Sequence, residues 1–122
     1  MSIQPSISSG STSFSQNAAF QPELTATMTG SFMKIGTLVA CPRIVIFDNQ
    51  GTASVAIGIG PSATTPAPTI TTWRTFTAGE AMILDLTANN GMAPTFTIAA
   101  GTTFWGNGAS GTFSISYLTA VP

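Results

Sequence analysis

The 122-residue chain has three basic and four acidic side chains, no histidine and one cysteine, and 43% of its residues are hydrophobic. A chain of this length can bury one core, and high hydrophobicity with little charge is the opposite of a disordered composition. The net charge of −1 provides no basic surface to neutralise phosphates, which argues against nucleic-acid binding. So sparse a surface charge favours association with other chains.

Residues 1–22 differ in composition from the rest of the chain. Seven of the first fifteen residues are serine, and no charged side chain precedes Glu23. No period of 2 or 3.6 residues is sustained, which predicts an extended N-terminal arm. A frayed terminus is the alternative, but isolated aromatic residues favour an arm that docks on a neighbouring molecule. Its candidate contact residues are Ile3, Ile7, Phe14 and Phe20.

The chain shows no targeting segment. Residues 1–5 have neither a basic region nor an apolar run typical of a secretory signal. The longest apolar runs are far shorter than the roughly 20 residues that span a bilayer, which predicts a soluble protein without a membrane partner. Cys41 has no second cysteine to pair with, and its position between Ala40 and Pro42 predicts a small buried hydrophobic residue.

The β pattern begins directly after the arm. Apolar and polar residues alternate over residues 24–32, which predicts a half-buried strand. Residues 43–48 are apolar on both faces and predict a central strand. The turn residues at 48–51 then predict a hairpin whose return strand covers residues 53–59. Small side chains on one face of that return strand, at Ser54, Ala56 and Gly58, favour close approach of a second surface.

The remaining chain continues with a period of two. Three prolines within residues 61–68 predict an exposed loop, because they remove main-chain donors. No segment has the apolar spacing of a helix. Residues 23–122 are therefore predicted to form one all-β domain, an antiparallel jelly-roll-like β-sandwich or a small barrel of about eight strands. The later strands are predicted at residues 70–77, 80–86, 95–99, 102–105 and 112–118, with a glycine-rich turn at 106–111.

The residues needed for most enzymatic mechanisms are missing. Histidine is the commonest general acid or base, and its absence excludes Ser-His-Asp and Cys-His arrangements. We therefore expect no enzyme. A hydrolase that uses Asp48, Glu80 or Asp85 is the alternative, although Glu80 and Asp85 are five residues apart and are expected on opposite strand faces.

We also expect no metal ion and no cofactor. Zinc and other transition metals prefer several histidine or cysteine ligands. A calcium ion needs only oxygen ligands, which the turn residues Asp48 and Asp85 with their neighbours would offer. Such side chains in turns usually bond to their own backbone, so the turn interpretation is preferred.

Three further residues are candidates for a protein interface: Trp73, the adjacent Arg74, and Trp105 beside the glycine-rich turn. Aromatic side chains near loops anchor interfaces or stack on sugar rings. The alternative is that both tryptophans are core residues at the ends of sheets. The sequence by itself leaves these alternatives open.

Three stretches resemble the small β-proteins of tailed bacteriophage particles. They are residues 47–58, with the Asn49-Gln50-Gly51-Thr52-Ala53 turn, residues 76–86, with an Ala-Gly turn before a strand, and residues 97–102, which end in Gly-Thr. The resemblance implies a head decoration (cement) protein. Such proteins often form trimers and clamp neighbouring major capsid proteins, sometimes through an N-terminal arm.

We therefore expect a non-enzymatic virion protein, made in the cytoplasm of the bacterial host, that binds the outside of a phage head and stabilises it. Its expected partners are the major capsid protein and further copies of itself, with a trimer favoured. The alternative is a tail- or fibre-associated module that binds carbohydrate or a receptor, with Trp73 and Trp105 stacked on sugar rings.

Overall fold

The computed structural model describes residues 18–65, 68–86 and 97–120. Within these ranges the chain forms nine strands and no helix, and every strand pairing is antiparallel. The strands are β1 (Ala18–Phe20), β2 (Leu24–Thr27), β3 (Met33–Thr37), β4 (Pro42–Asn49), β5 (Val55–Gly60), β6 (Thr71–Phe76), β7 (Ala81–Asp85), β8 (Thr103–Gly108) and β9 (Thr112–Ala120).

The strands form two sheets. In the first sheet, β1 and β2 both pair with β9, which is followed by β4 and then β7. The second sheet has the order β3-β8-β5-β6. β2 pairs with the start of β9 and β1 with its end. The two short strands therefore lie one after the other along the same edge of β9, with a break around Pro22 between them. The result is a sandwich with four strand positions in each layer, which confirms the predicted all-β sandwich and excludes a closed barrel for the described strands.

The connections give the sandwich a jelly-roll topology. From β2 onward, every connection between consecutive strands crosses from one sheet to the other, except the one between β5 and β6. The hairpin predicted at residues 48–51 is therefore wrong, because β4 lies in the first sheet and β5 in the second. The turn residues were recognised correctly, but turn chemistry does not show which sheet the next strand joins.

Asn49 shows how this crossing is held. Its side chain is fully buried, and Nδ2 donates to the carbonyl oxygens of Ala53 at 2.9 Å, Phe76 at 3.2 Å and Thr77 at 2.9 Å. Its Oδ1 accepts a hydrogen bond from the Gly51 N–H at 3.1 Å. One amide therefore joins the end of β4 to the crossing segment and to the end of β6 in the opposite sheet.

A second crossing, between β8 and β9, passes directly against the first. A Cβ atom on Gly111 would lie 2.6 Å from the Cα of Gly51, and Gly111 has a positive φ of 88°. Side chains at these two positions would separate the crossings. Glycine is required there by close backbone approach and, at Gly111, also by conformation.

The core lies between the sheets and is centred on aromatic side chains. The ring of Phe47 on β4 lies 5.6 Å from Phe76 and 5.5 Å from Phe104, both on the second sheet. Phe76 in turn lies 5.2 Å from Phe113 on β9. The interior position of β4, between β9 and β7, confirms the central strand predicted for residues 43–48.

Three predicted segments have different boundaries in the structure. The strand predicted for residues 24–32 ends at Thr27, and the chain crosses through Gly30, with a φ of 100°, to begin β3 at Met33. Residues 97–99 of the predicted strand 95–99 are not in a strand, while 95 and 96 lie outside the described residues. In the predicted turn 106–111, the first three residues extend β8, and the turn covers only 109–111.

Two expectations about side chains and segments also change. Cys41 is exposed, and not buried as predicted, because residues 38–41 connect β3 to β4 and only Leu38 of this segment turns into the core. Residues 18–20, predicted as part of the N-terminal arm, form β1. The rest of the arm, residues 1–17, lies outside the described residues.

We expect Asn49→Ala to lower the free energy of unfolding by about 2–4 kcal/mol, because carbonyl oxygens of the crossing segment and of the end of β6 lose this donor. Urea denaturation followed by tryptophan fluorescence measures this change. The control is Asn107→Ala at a half-buried position on β8, which should cost less than about 1 kcal/mol. Equal losses for the two variants would contradict the role given to Asn49.

Candidate interaction surface

Trp105 lies on the outer face of the second sheet but is covered by the chain itself. Its neighbour Phe104 points into the core, whereas Trp105 is opposite Lys34 and Gly58 in the register. The residues after β5 fold back over this face. Trp105 Nε1 donates to the Pro61 carbonyl at 3.1 Å, and Lys34 Nζ donates to the Ser62 carbonyl at 2.8 Å. Only 4% of Trp105 remains exposed.

Gly60 permits this covering. A Cβ atom there would lie 3.0 Å from Nε1 of Trp105 and 2.6 Å from Cδ1 of Ile70, at the other end of the loop. On the small face predicted for this strand, Gly58 is approached closely by the Thr71 carbonyl at the start of β6 and by Ile70. Residues 61–65 of the loop are exposed, as the prolines predict.

Trp73 and Arg74 lie together at the β6 edge and close the side of the sandwich. The Trp73 ring is 5.2 Å from Phe47, and the Arg74 guanidinium lies 4.6 Å from the centre of the Phe76 ring. Arg74 Nη1 donates to Met82 Sδ at 3.0 Å, and Nη2 forms an ion pair of 2.8 Å with Glu80. Since Met82 belongs to the first sheet and Arg74 to the second, the guanidinium bridges the two layers.

The predicted carboxylates do not form a cluster. Glu80 binds Arg74 and accepts a hydrogen bond from the Thr77 N–H at 2.9 Å. Asp48 is opposite Ala81, at one end of the β4–β7 pair, whereas Asp85 is opposite Ile44 at the other end. In the part of the chain that the structure describes, no group of three or more histidine, cysteine or acidic side chains is arranged to hold a metal ion.

The outer face of the first sheet carries a continuous group of apolar side chains. Residues directly opposite each other in antiparallel strands share a face. The register places Phe20, Leu118 and Ile44 in one row, and Ile46 and Ile83 in the next. We call these five residues the apolar stripe. Its two ends are open to solvent, with Phe20 68% and Ile83 60% exposed, whereas Ile44 and Ile46 are half-buried and Leu118 is buried.

Four of the five stripe residues were not recognised as candidates from the sequence. Residues 43–48 read as a strand covered on both faces, so the outward side chains of Ile44 and Ile46 were assigned to the interior. The signal was present, however. In an antiparallel sandwich one face of each strand points away from the core, and apolar residues on that face indicate a further contact.

Most of the acidic side chains lie around this stripe. Glu23 accepts a hydrogen bond from Ser116, in the same row as Ile46, at 3.4 Å. Asp48 lies two residues further along β4 than Ile46, in the next row on the same face. Asp85 lies on β7 directly opposite Ile44. The only cation on the strands of this sheet in the described ranges is Arg43. The face is therefore apolar in the middle and acidic at its border.

Of the seven residues predicted as interface contacts, the structure brings Trp73 and Arg74 together. Trp105 lies two strands away on the opposite face of the sheet, and Phe20 lies on the first sheet. Ile3, Ile7 and Phe14 are outside the described residues.

Comparisons of the chain with protein-family models, curated proteins and solved structures found no match. Within the described ranges, no helix is long and apolar enough to cross a membrane.

The covering of Trp105 predicts a change in fluorescence when Gly60 is replaced. In a Trp73→Phe background, where Trp105 is the only indole, Gly60→Ala should displace the loop from the Trp105 ring, shift the emission to longer wavelength and increase quenching by acrylamide. The control in the same background is Gly79→Ala. It strains a positive φ of 73° but meets no atom within 4 Å, so it should leave the emission unchanged. Unchanged emission in both variants would contradict the covering.

The bridging position of Arg74 predicts a loss of stability. Arg74→Ala should lower the free energy of unfolding by about 1–2 kcal/mol, because it removes the cation–π contact and the bond between the sheets. Glu80→Gln should cost at most about 1 kcal/mol, because both partners of the ion pair are partly exposed. Urea denaturation separates the two effects. Unchanged stability in Arg74→Ala, combined with weaker assembly, would instead assign Arg74 to an interface.

Proposed function

We propose that the chain is a non-enzymatic structural protein of a bacteriophage particle, which binds the outside of the head as an oligomer and stabilises it. The observation that carries this proposal is the apolar stripe on the outer face of the first sheet, whose two end residues, Phe20 and Ile83, are exposed. Large apolar side chains exposed at both edges of one sheet face favour a contact with another molecule. The jelly roll supports the proposal by analogy, since viral capsid domains commonly use it.

The sparse charge of the chain suits this role. A decoration protein makes repeated contacts over a shell, and contacts without ion pairs carry little desolvation cost and little salt dependence. Many copies joined to one another also bind more tightly than single copies do, because each further contact is intramolecular. The major capsid protein is the proposed partner on the head, and a trimer is the favoured oligomer.

The environment of the tryptophans weighs against the carbohydrate-binding alternative. Trp105 is covered by the β5–β6 loop, and Trp73 packs against the core ring of Phe47. A sugar-binding tryptophan presents the face of its ring to solvent. We therefore assign both tryptophans, with Arg74, to the stability of the sandwich, and the stripe to the contact with other chains.

The test is binding to phage heads assembled without the chain. The purified protein is mixed with expanded heads and with unexpanded heads, and the bound copies are counted after sedimentation. We expect saturable binding to one form of the head, with little change between low and high salt, and a higher temperature of head rupture. Binding to immobilised glycans in the absence of head binding would contradict the proposal and favour the alternative.

A further inference from the structure

We propose that the apolar stripe is the docking site for residues 1–17 of a neighbouring copy of the chain. The inference deepens the proposed function and rests on its oligomeric part, since it names the contact that holds the copies together. The stripe is the surface, and the uncharged N-terminal segment is its occupant.

The stripe crosses the whole sheet. It begins at Phe20 on the β1 edge and ends at Ile83 on β7, with β9 and β4 between them. Three steps between neighbouring strands correspond to about 14 Å, and the offset of one row between Phe20 and Ile83 raises the distance between the two ends to about 16 Å. Phe20 and Ile83 are two of the three large hydrophobic side chains that are exposed in the described ranges, so an occupant would gain most by covering both ends.

The N-terminal segment matches the stripe in length and chemistry. Residues 1–17 contain no charged side chain, and their largest side chains are apolar. In an extended chain, Ile3 and Ile7 point to the same side and are separated by about 13 Å. The exposed ends of the stripe are about 3 Å further apart than this. The hydroxyl groups of the serines in the segment can donate to the carboxylates at the border.

The charges argue against the simplest alternative, in which the stripes of two copies pack on each other. That arrangement would bring Glu23, Asp48 and Asp85 of both copies to one interface, against a single Arg43 from each. Like charges in an interface oppose association. A segment without charged side chains covers the same apolar surface and adds no repulsion.

The direction of the chain favours a segment from another copy. Ala18 is opposite Ala120, and the strand then runs through Phe20, opposite Leu118. The chain therefore enters β1 beside the end of β9, and the direction of β1 from Phe20 back to Ala18 points away from the rows that form the stripe. A segment of the same chain would have to reverse this direction to cover them. If each copy instead gives its segment to the next, the contacts are head-to-tail, and a rotation that closes produces the ring that the proposed function needs.

The test uses full-length variants that damage one side of the contact at a time. Ile83→Asp places a charge in the stripe, and the double variant Ile3→Asp/Ile7→Asp places charges in the segment. Phe20→Asp repeats the stripe test at the opposite edge in case Ile83→Asp fails to fold, which urea denaturation reveals. Val39→Asp is the matched control, because Val39 is 71% exposed but lies outside the stripe, between β3 and β4. A reducing buffer prevents disulfide formation through the exposed Cys41.

Light scattering at about 100 µM chain detects even a micromolar contact. The unchanged chain and Val39→Asp should form one closed oligomer, and the stripe and segment variants should each be monomeric. Mixed in equal amounts, Ile83→Asp and Ile3→Asp/Ile7→Asp should form a one-to-one dimer, because one supplies an intact segment and the other an intact stripe.

Three outcomes would overturn the inference. If the unchanged chain is monomeric, the proposed contact between the stripe of one copy and the segment of another does not form. An oligomeric Ile3→Asp/Ile7→Asp variant would show that another surface joins the copies. Two monomeric variants that do not associate on mixing would show that the copies are not joined by the segment of one and the stripe of the next. None of these measurements involves phage heads, so a ring that does not bind heads would overturn the proposed function and leave this inference standing.

Discussion

The sandwich depends on the buried amide of Asn49. Its hydrogen bonds reach the crossing segment and the end of β6, so one side chain at the end of β4 in the first sheet is joined to carbonyl oxygens of the second sheet. Unpaired carbonyl groups at this depth would be costly, and the amide satisfies them without introducing a charge. The close contact of Gly51 with Gly111 sets the second crossing beside the first. The jelly-roll order of the strands follows from these crossings.

Both outer faces of the sandwich carry large apolar side chains, and the two faces differ in how these side chains are covered. The second sheet has a large aromatic residue on its outer face, Trp105, and covers it with the loop between β5 and β6. The first sheet also carries large apolar side chains on its outer face, but Phe20 and Ile83 remain exposed. One chain thus covers one face itself and leaves the other open. This asymmetry gives a physical reason to place the contact with other chains on the first sheet.

The few charges of the chain are divided in a similar way. Arg74 and Glu80 bridge the layers at the β6 edge and serve the fold. Glu23, Asp48 and Asp85 lie on the open face around the stripe. With this distribution a partner that is itself uncharged meets no repulsion, while a second acidic face does. Sparse charge therefore selects the kind of partner as well as permitting association.

Strand periodicity, turn residues and composition are local properties, so they predict the all-β class, the position of most strands and the lack of histidine-based chemistry. The central strand at residues 43–48 is predicted for this reason. Strand pairing is not local, and it places the turn at Asn49 between the two sheets, a loop over Trp105, and the five residues of the apolar stripe on one face. All three features depend on which strands become neighbours. A sequence period of two residues shows that a strand has an apolar and a polar face, but it does not show which part of the chain packs against each face.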